Sequence, residues 1–283
     1  MPLVTSKDML LDAQKGNYAV GAFNVENMEM VMAVVEAAQE MQSPVILQTT
    51  PSTARYAGLN LYYANVKAVA ERATVPVALH LDHGSSFELA VQALREGYTS
   101  VMIDGSHLPW EENSRLVRRV VDACRPCRVP VEAELGCIGG KEDDVDSGGT
   151  GLTSPEQAVK FVEQTGIDFL AVAIGTAHGV YKRSPNIRLD LLKEIKKRVF
   201  IPLVLHGTSG LEDEVVRSCI QEGICKVNYA TDLRIAFTDG MRRILSGDKS
   251  VIDPKIYGNM GKELVKRYVQ DKIWVCKSSG RGF

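Results

Sequence analysis

Eight short runs of strand-forming residues alternate with longer segments of helical periodicity along this chain. The runs cover residues 19–24, 45–49, 77–82, 100–104, 129–134, 169–174, 202–206 and 225–228. Apolar residues recur at helical spacing between them, for example in 28–41, 87–95, 113–124, 155–165 and 212–222. Such alternation is typical of βα units around a parallel sheet, and eight units close a TIM (β/α)8 barrel. We therefore predict an α/β fold of this architecture.

The length and organisation of the chain favour one domain. Its 283 residues slightly exceed the roughly 250 that a (β/α)8 barrel needs. No Pro-, Gly- or Ser-rich linker divides the sequence, and 252–275 add helical material after the eighth unit. We predict a single barrel domain over 1–283, with 252–283 as a C-terminal helical extension.

Charge and composition exclude several classes of protein. Lysine and arginine number 33 against 35 aspartate and glutamate, which gives a formal net charge of −2 and argues against nucleic acid as a partner. No run reaches the roughly 18 consecutive apolar residues of a spanning helix, so no membrane association is expected. The six cysteines stand at irregular spacings, unlike the framework of a small secreted domain. We expect reduced thiols and a cytoplasmic location.

One long irregular segment follows the fifth predicted strand. Residues 136–153 contain six glycines among acidic residues. Loops longer than about 12 residues inside compact domains are usually functional or disordered. Because the active-site loops of a barrel follow its strands, we interpret 136–153 as a mobile lid.

Three of the five histidines fall at or directly after predicted strands. His83 follows the third strand, His178 follows the sixth and His206 ends the seventh. The carboxyl ends of all barrel strands face the same mouth, so these three imidazoles can converge. Three neutral imidazoles with an open fourth position suit catalytic Zn²⁺ better than a structural ion. The sequence thus predicts a zinc site, with His80 inside the barrel as an orienting residue.

Carboxylates also end several of the hydrophobic strands. Asp82 adjoins His83, Asp104 ends the fourth run, and Glu132 and Glu134 share a face at the end of the fifth. Such groups are costly to bury unless they are paired, protonated or metal-bound. We therefore expect functional roles for Asp82, Asp104 and Glu134.

Two small-residue segments predict a phosphate subsite. Gly-Thr-Ser-Gly at 207–210 follows the seventh predicted strand, and Asn-Tyr-Ala-Thr at 228–231 follows the eighth; each enters a helix. Backbone N–H groups approach an anion closely at such places, and barrels often bind phosphate in the loops after strands seven and eight.

Four motifs together resemble those of a known enzyme family. They are His-Leu-Asp-His-Gly at 80–84, Val-Glu-Ala-Glu-Leu-Gly at 131–136 with Gly-Gly-Lys-Glu-Asp-Asp at 139–144, Ala-Ile-Gly-Thr-Ala-His-Gly at 173–179 and Leu-His-Gly-Thr-Ser-Gly at 205–210. In order and spacing they resemble the class II, zinc-dependent ketose-bisphosphate aldolases. The resemblance spans essentially the whole chain and is strongest to the tagatose-bisphosphate and shorter fructose-bisphosphate aldolases.

The resemblance implies a role for each matching residue. His83, His178 and His206 take the places of the catalytic zinc ligands, and Asp104 and Glu134 those of ligands to a second ion. Asp82 matches the acid/base at the cleaved bond, and Glu142 matches the carboxylate that exchanges a proton with the ketone-derived carbon. Substrate contacts are implied for Asn24, Thr50, Gly179, Gly207, Thr208, Ser209, Asn228, Tyr229, Ala230 and Thr231, beside a monovalent cation (Na⁺ or K⁺).

One position departs from the family pattern. Lys255 stands where an arginine commonly reaches across a dimer to the distal phosphate. Lysine keeps the charge but lacks the bidentate fork of arginine. The resemblance implies a homodimer or homotetramer.

The implied activity is reversible cleavage of a ketose 1,6-bisphosphate, tagatose or fructose, to dihydroxyacetone phosphate and glyceraldehyde 3-phosphate. No motif in the sequence specifies the configuration at C4 of the substrate. Another phosphorylated ketose is therefore an alternative substrate. Two further alternatives are a Schiff-base aldolase that uses Lys226 and a non-catalytic sugar-phosphate-binding subunit.

Overall fold

Eight parallel strands close into a barrel in a computed structural model of the chain, in the order β1-β11-β10-β8-β5-β4-β3-β2. The structure describes residues 3–142, 145–147, 151–179, 181 and 185–282, with only the backbone at 141–142 and 145–147. Its strands are β1 (Val20–Asn24), β2 (Val45–Thr49), β3 (Val77–Gly84), β4 (Ser100–Ile103), β5 (Val131–Leu135), β6 (Gly139–Glu142), β7 (Val145–Ser147), β8 (Phe169–Val172), β9 (Ala177–His178), β10 (Leu203–Leu205) and β11 (Ile224–Tyr229). The closed parallel sheet confirms the predicted TIM barrel.

One helix precedes the first barrel strand, and the others follow strands and cover the outside of the sheet. They are α1 (Ser6–Gly16), α2 (Met28–Glu40), α3 (Pro51–Ala57), α4 (Leu59–Ala70), α5 (Phe87–Glu96), α6 (Trp110–Cys124), α7 (Pro155–Thr165), α8 (Leu189–Arg198), α9 (Asp213–Gln221), α10 (Thr231–Gly247) and α11 (Pro254–Val275). Local signals set several ends: the Ser154 hydroxyl accepts from the backbone N–H of Gln157 at the start of α7, and Gly166 ends that helix in the left-handed conformation.

The predicted strand boundaries agree to within about two residues. The sixth run was expected to extend to 174, but β8 ends at Val172 because the next carbonyls bond elsewhere. The Ala173 carbonyl accepts from the backbone N–H of Thr153, and the Ile174 carbonyl accepts from that of Arg188. β3 instead extends beyond the predicted end, to Gly84.

The N-terminal helix closes one end of the barrel. Met9, Leu10 and Ala13 of α1 pack with side chains from inside the sheet, including Met102 and Phe169. The hydroxyl of Ser6 donates to Ser100 over 2.7 Å. This plug leaves the carboxyl ends of the strands as the accessible mouth.

The C-terminal extension packs against the barrel helices. α11 contacts α10 and α2, where Lys262 lies 2.7 Å from Glu36. Beyond it, the backbone N–H groups of Gly280 and Gly282 donate to the carbonyls of Met41 and Gln42. Among the helices that the structure describes, none combines the length and apolar character needed to cross a bilayer.

Candidate active site

A cleft of about 270 Å³ lies at the carboxyl ends of the barrel strands. The lining residues are Asn24, Asp82, His83, His178, Gly179, His206, Gly207, Thr208, Ser209, Asn228, Ala230 and Thr231. Every one of them is a site residue predicted from the sequence.

A bulge in β3 brings Asp82 and His83 to the same cleft. Successive strand residues normally point to opposite faces. Here the pairing with β4 shifts register between Leu81 and Gly84, and His83 adopts a left-handed backbone with φ of 46°. A non-glycine residue in that region costs about 1–2 kcal/mol. The bulge thus places the imidazole beside the carboxylate that precedes it in sequence.

The three predicted histidine ligands converge. The ligand nitrogens of His83, His178 and His206 lie within 4.8 Å of one another. The His83 ring meets the other two edge-on, with centroids 5.0 Å from His178 and 4.7 Å from His206. Three chain segments far apart in sequence therefore present imidazoles to one point.

Two carboxylates determine which ring nitrogens face that point. Asp104 Oδ2 lies 2.7 Å from His83 Nδ1, and Glu132 Oε1 lies 2.8 Å from His206 Nε2. An ionised carboxylate only accepts hydrogen bonds, so each ring donates from that nitrogen. In neutral rings, His83 Nε2 and His206 Nδ1 then carry lone pairs, and they lie 2.8 Å apart. Two facing lone pairs repel unless a proton or a metal ion lies between them.

This donor set fits a divalent metal ion. Burial is the largest cause that holds the pKa of His206 well below its usual value, which favours the neutral ring that a metal ligand must have. Carboxylates bonded to the remote nitrogens of metal-binding histidines are typical of zinc sites. His83, His178 and His206 are therefore the residues that would hold such an ion.

A second group of possible ligands adjoins the first. Ligand atoms of His83, Asp104 and Glu134 lie within 4.8 Å of one another. Burial and the nearby Asp104 raise the pKa of Glu134 to about 8. Burial would raise the pKa of Asp104 too, but the hydrogen bond from His83 Nδ1 holds it well below its usual value. Glu134 also has a buried carboxylate oxygen, Oε2, without a hydrogen bond in the described structure.

Three amides hold Asp82. Its Oδ2 accepts from Asn24 Nδ2 and Gln48 Nε2, both at 3.1 Å, and its Oδ1 accepts from Asn228 Nδ2 at 3.1 Å. A carboxylate has about four acceptor positions, so these bonds leave about one for a ligand hydroxyl. Gln48 is not among the site residues predicted from the sequence. A polar residue inside the apolar run 45–49 was the available signal, because burial of an unpaired amide is costly.

The interior of the barrel holds three further residues whose contacts were not predicted: His80, Glu132 and Lys226. Glu132 Oε2 accepts from Lys226 Nζ over 2.9 Å, while its other oxygen contacts His206. His80 Nδ1 lies 2.8 Å from Ser100 Oγ, so His80 is outside the group of converging histidines. The spacing of Glu132 and Glu134 predicted that the two side chains share a face of the strand. It did not predict that Glu132 contacts His206 and Lys226.

Part of the predicted lid forms a small sheet at the cleft. β6 pairs with β7 in antiparallel fashion and with β9 in parallel, so that Gly140 lies opposite His178. Gly140 has φ of 93°, and a Cβ there would come within 2.8 Å of the His178 backbone nitrogen. The side chain of Glu142, and the whole of residues 143–144 and 148–150, lie outside the described residues.

Tyr181 ties the segment of His178 to the loop after β10. Its hydroxyl accepts from the Ala177 backbone N–H over 2.8 Å and donates to the Gly207 carbonyl over 2.6 Å. A Cβ at Gly207 would lie 2.6 Å from the Ala177 carbonyl oxygen. Glycine is therefore needed for this close approach.

The predicted phosphate loops border the cleft. Thr208 donates its hydroxyl to the Asn228 carbonyl, which joins the two loops. Helix α10 begins after Ala230, whose side chain provides no cap. The first backbone N–H groups of a helix are positively polarised and suit an anion.

Three predicted substrate contacts do not line the cleft. Thr50 is buried at the start of α3, where its hydroxyl bonds to Ser52 and Thr53. The Tyr229 side chain is 1% exposed and stacks on Phe23, in the core outside the strand. The Lys255 side chain is 86% exposed and contacts Asp253. The side chain of Tyr229 therefore does not reach the cleft.

Comparison with solved structures supports the assignment of the fold. The YdjI aldolase from Escherichia coli K12 is 35% identical, with a TM-score of 0.89 and coverage of 99% of this chain and 100% of that one. A Coccidioides immitis protein described as a candidate fructose-1,6-biphosphate aldolase is 31% identical, with a TM-score of 0.90 and coverage of 97% and 96%. The fructose-bisphosphate aldolase from Campylobacter jejuni shares the fold at 24% identity, with a TM-score of 0.84 and coverage of 98% and 96%.

The sequence comparison is equally extensive. The family described as fructose-bisphosphate aldolase class-II matches residues 4–281, from α1 to beyond α11. With the histidine cluster and Asp82 in one cleft, this match over nearly the whole length means that the chain belongs to the class II fructose-bisphosphate aldolase family.

Proposed function

We propose that this protein is a zinc-dependent class II aldolase that reversibly cleaves a ketose 1,6-bisphosphate, tagatose or fructose, to dihydroxyacetone phosphate and glyceraldehyde 3-phosphate. The observation that carries the proposal is the presence of three converging imidazoles and Asp82 in one cleft. His83, His178 and His206 would hold Zn²⁺. When bound, the ion would act as a Lewis acid on the C2 carbonyl of the sugar.

Asp82 is the proposed base in the cleavage direction. It takes the proton of the C4 hydroxyl as the bond between C3 and C4 breaks. Asn24, Gln48 and Asn228 hold its oxygens through hydrogen bonds of 3.1 Å, so little reorganisation is needed during proton transfer.

Glu142 is the proposed acid that returns a proton to C3. Its backbone lies in β6, whose partner strand β9 carries His178. Closure of the 136–153 lid would bring its carboxyl group to the substrate and exclude water. This role rests on the family resemblance.

The phosphate of the dihydroxyacetone half is proposed to bind at Gly179, at Gly207, Thr208 and Ser209, and at the loop from Asn228 to Thr231. The uncapped start of α10 supports this position. Thr50 and the backbone of Tyr229 are retained as substrate contacts in the bound state. A monovalent cation, Na⁺ or K⁺, is proposed beside the phosphate, and Asp104 with Glu134 as the site of a second ion.

The exposed Lys255 is proposed to bind the distal phosphate of a neighbouring subunit in a homodimer or homotetramer. Measurement of the molecular mass in solution tests this assembly. A strictly monomeric enzyme that retains full activity on the bisphosphate would contradict this role of Lys255.

Steady-state assays on a panel of phosphorylated ketoses, with metal analysis of the same preparation, test the activity. We expect the highest kcat/KM on tagatose or fructose 1,6-bisphosphate, loss of activity with a chelator and recovery with Zn²⁺. Inactivation by borohydride in the presence of substrate would instead favour a Schiff base on Lys226. Binding of dihydroxyacetone phosphate without turnover of any ketose would favour a non-catalytic subunit.

A further inference from the structure

Glu132 and Lys226 form an ion pair inside the barrel, beneath the cleft. Glu132 Oε2 lies 2.9 Å from Lys226 Nζ, and the side chains are 0% and 1% exposed. Neither residue lines the cleft. The proton transfers proposed above use neither of them, so the pair needs a separate explanation.

Glu132 connects this lysine to a proposed metal ligand. Its Oε1 lies 2.8 Å from His206 Nε2, while its Oε2 accepts from Lys226. A lysine ammonium group only donates hydrogen bonds, and a carboxylate only accepts them. The chain of contacts therefore has one consistent direction: both Lys226 Nζ and His206 Nε2 donate to Glu132. His206 Nδ1 is then the ring nitrogen with a free lone pair, and it faces His83 Nε2.

Lys226 is the group that compensates the buried carboxylate. A charge without a partner is strongly unfavourable at this depth. The other nearby imidazole, His80, has its Nε2 at 3.7 Å from Glu132 Oε2, which exceeds hydrogen-bonding distance. The His80 ring is instead bonded through Nδ1 to Ser100.

We infer that the Lys226–Glu132 pair is a positioning device that fixes the tautomer of His206 and thereby sets the affinity of the site for a divalent metal ion. The inference rests on the proposed metal-dependent function. Glu132 and Lys226 are positioning residues, because they act only through His206. The pair also explains why an ionisable lysine stands in a strand whose other residues are buried.

Measurements of zinc affinity and of the stability of the metal-free protein distinguish a positioning role of the Lys226–Glu132 pair from a purely structural one. The variants are Glu132→Gln, Lys226→Met and the double variant Glu132→Met/Lys226→Met, each assayed by competition with a chromophoric chelator. Outer partners of metal ligands typically contribute about 10- to 100-fold in affinity, so we expect a loss of that size in Glu132→Gln. The ¹⁵N shifts of His206 in the metal-free protein should show protonation at Nε2 in the wild type and a mixture of tautomers in this variant.

The double variant distinguishes the two roles. Lys226→Met alone leaves a buried carboxylate without its countercharge, so we expect a lower unfolding midpoint and weaker zinc binding. Removing both charges should restore the midpoint towards that of the wild type. Zinc affinity should remain as low as in Glu132→Gln, because methionine at position 132 offers His206 Nε2 no acceptor. Lys262→Met, which breaks the remote pair with Glu36, is the matched control and should leave zinc affinity unchanged.

Zinc affinity within about twofold of wild type in Glu132→Gln, or recovery of both stability and affinity in the double variant, would overturn the inference. If a single variant fails to fold, the double variant still gives the deciding measurement. Wild-type protein that binds no divalent metal would instead defeat the proposed function, so the two failures are distinguishable.

Discussion

The cleft has a floor and a rim that hold their histidines by different means. We call floor the residues on or directly after the barrel strands that line the cleft or lie beneath it, namely Asp82, His83, Asp104, Glu132, His206 and Lys226. The rim consists of the hairpin β6–β7, the strand β9 with His178, Tyr181 and the loop 207–210. In the floor, charged side chains bond to the imidazoles. In the rim, backbone pairing and close approaches at Gly140 and Gly207 place His178.

This difference predicts different sensitivities. Hydrogen bonds to charged groups in the floor contribute most when their partners are buried, so loss of a charge should be damaging there. The rim depends on space and backbone conformation, so an added methyl group should be damaging there. Substitutions that remove a charge without adding volume, or add volume without removing a charge, test this difference between floor and rim.

The largest effect is expected for Asp82→Ala in the floor. A positioned general base typically contributes about 10²- to 10⁴-fold, so kcat for cleavage should fall by that factor. Zinc content should stay at the wild-type level, because Asp82 bonds to amides and not to the histidines. Turnover with the preferred ketose bisphosphate and metal analysis measure both. If the variant retained most of the wild-type turnover, Asp82 would not be the base of the cleavage step.

Asp104→Ala should mainly weaken metal binding. It removes the acceptor for His83 Nδ1, so the tautomer of that ring is no longer fixed. We expect zinc affinity to fall about 10- to 100-fold, measured by chelator competition. Asp190→Ala removes an exposed carboxylate paired with Arg188 and is the control. Equal affinities in the two variants would show that the floor does not depend on this bond.

Gly140→Ala tests the rim. The new Cβ would approach the backbone of His178 from a residue with φ of 93°, so β6 must move away from β9. We expect a loss of about tenfold in zinc affinity, near the lower limit for residues that orient ligands. Gly280→Ala is the matched control, since Gly280 has φ of 73° but no atom within 4 Å of the added Cβ. Similar zinc affinities in both variants would mean that the hairpin does not position His178.

The smallest effect is expected for Tyr229→Phe. Its hydroxyl contacts Cys276 Sγ at 3.6 Å in the core, away from both the floor and the rim. The free energy of unfolding should change by at most about 1 kcal/mol, and KM should be unchanged. Ser209→Ala, in the cleft, should raise KM several-fold by comparison. An increased KM in Tyr229→Phe would restore its side chain as a substrate contact.

The repeating elements and the histidine cluster were predictable because their patterns are local. The run 45–49 and the segment 155–165 match β2 and α7 in full, since apolar spacing and capping residues specify them. The bulge at His83 was not predictable, because it depends on the register between β3 and β4. The direction of the Tyr229 side chain was not predictable either. Its strand is buried on both faces, so polar and apolar residues do not alternate in a way that shows which face each side chain occupies.

The sequence alone determined that strands and helices would alternate into a closed barrel and that three imidazoles would end separate strands at its mouth. Burial at a fixed period and the common direction of parallel strands are sufficient for both. Only the tertiary structure decided which ring nitrogens face the cleft and which groups compensate the buried carboxylates. Those partners, such as Glu132 with Lys226 at a separation of 94 residues, meet through strand register and side-chain rotamers that no local pattern encodes.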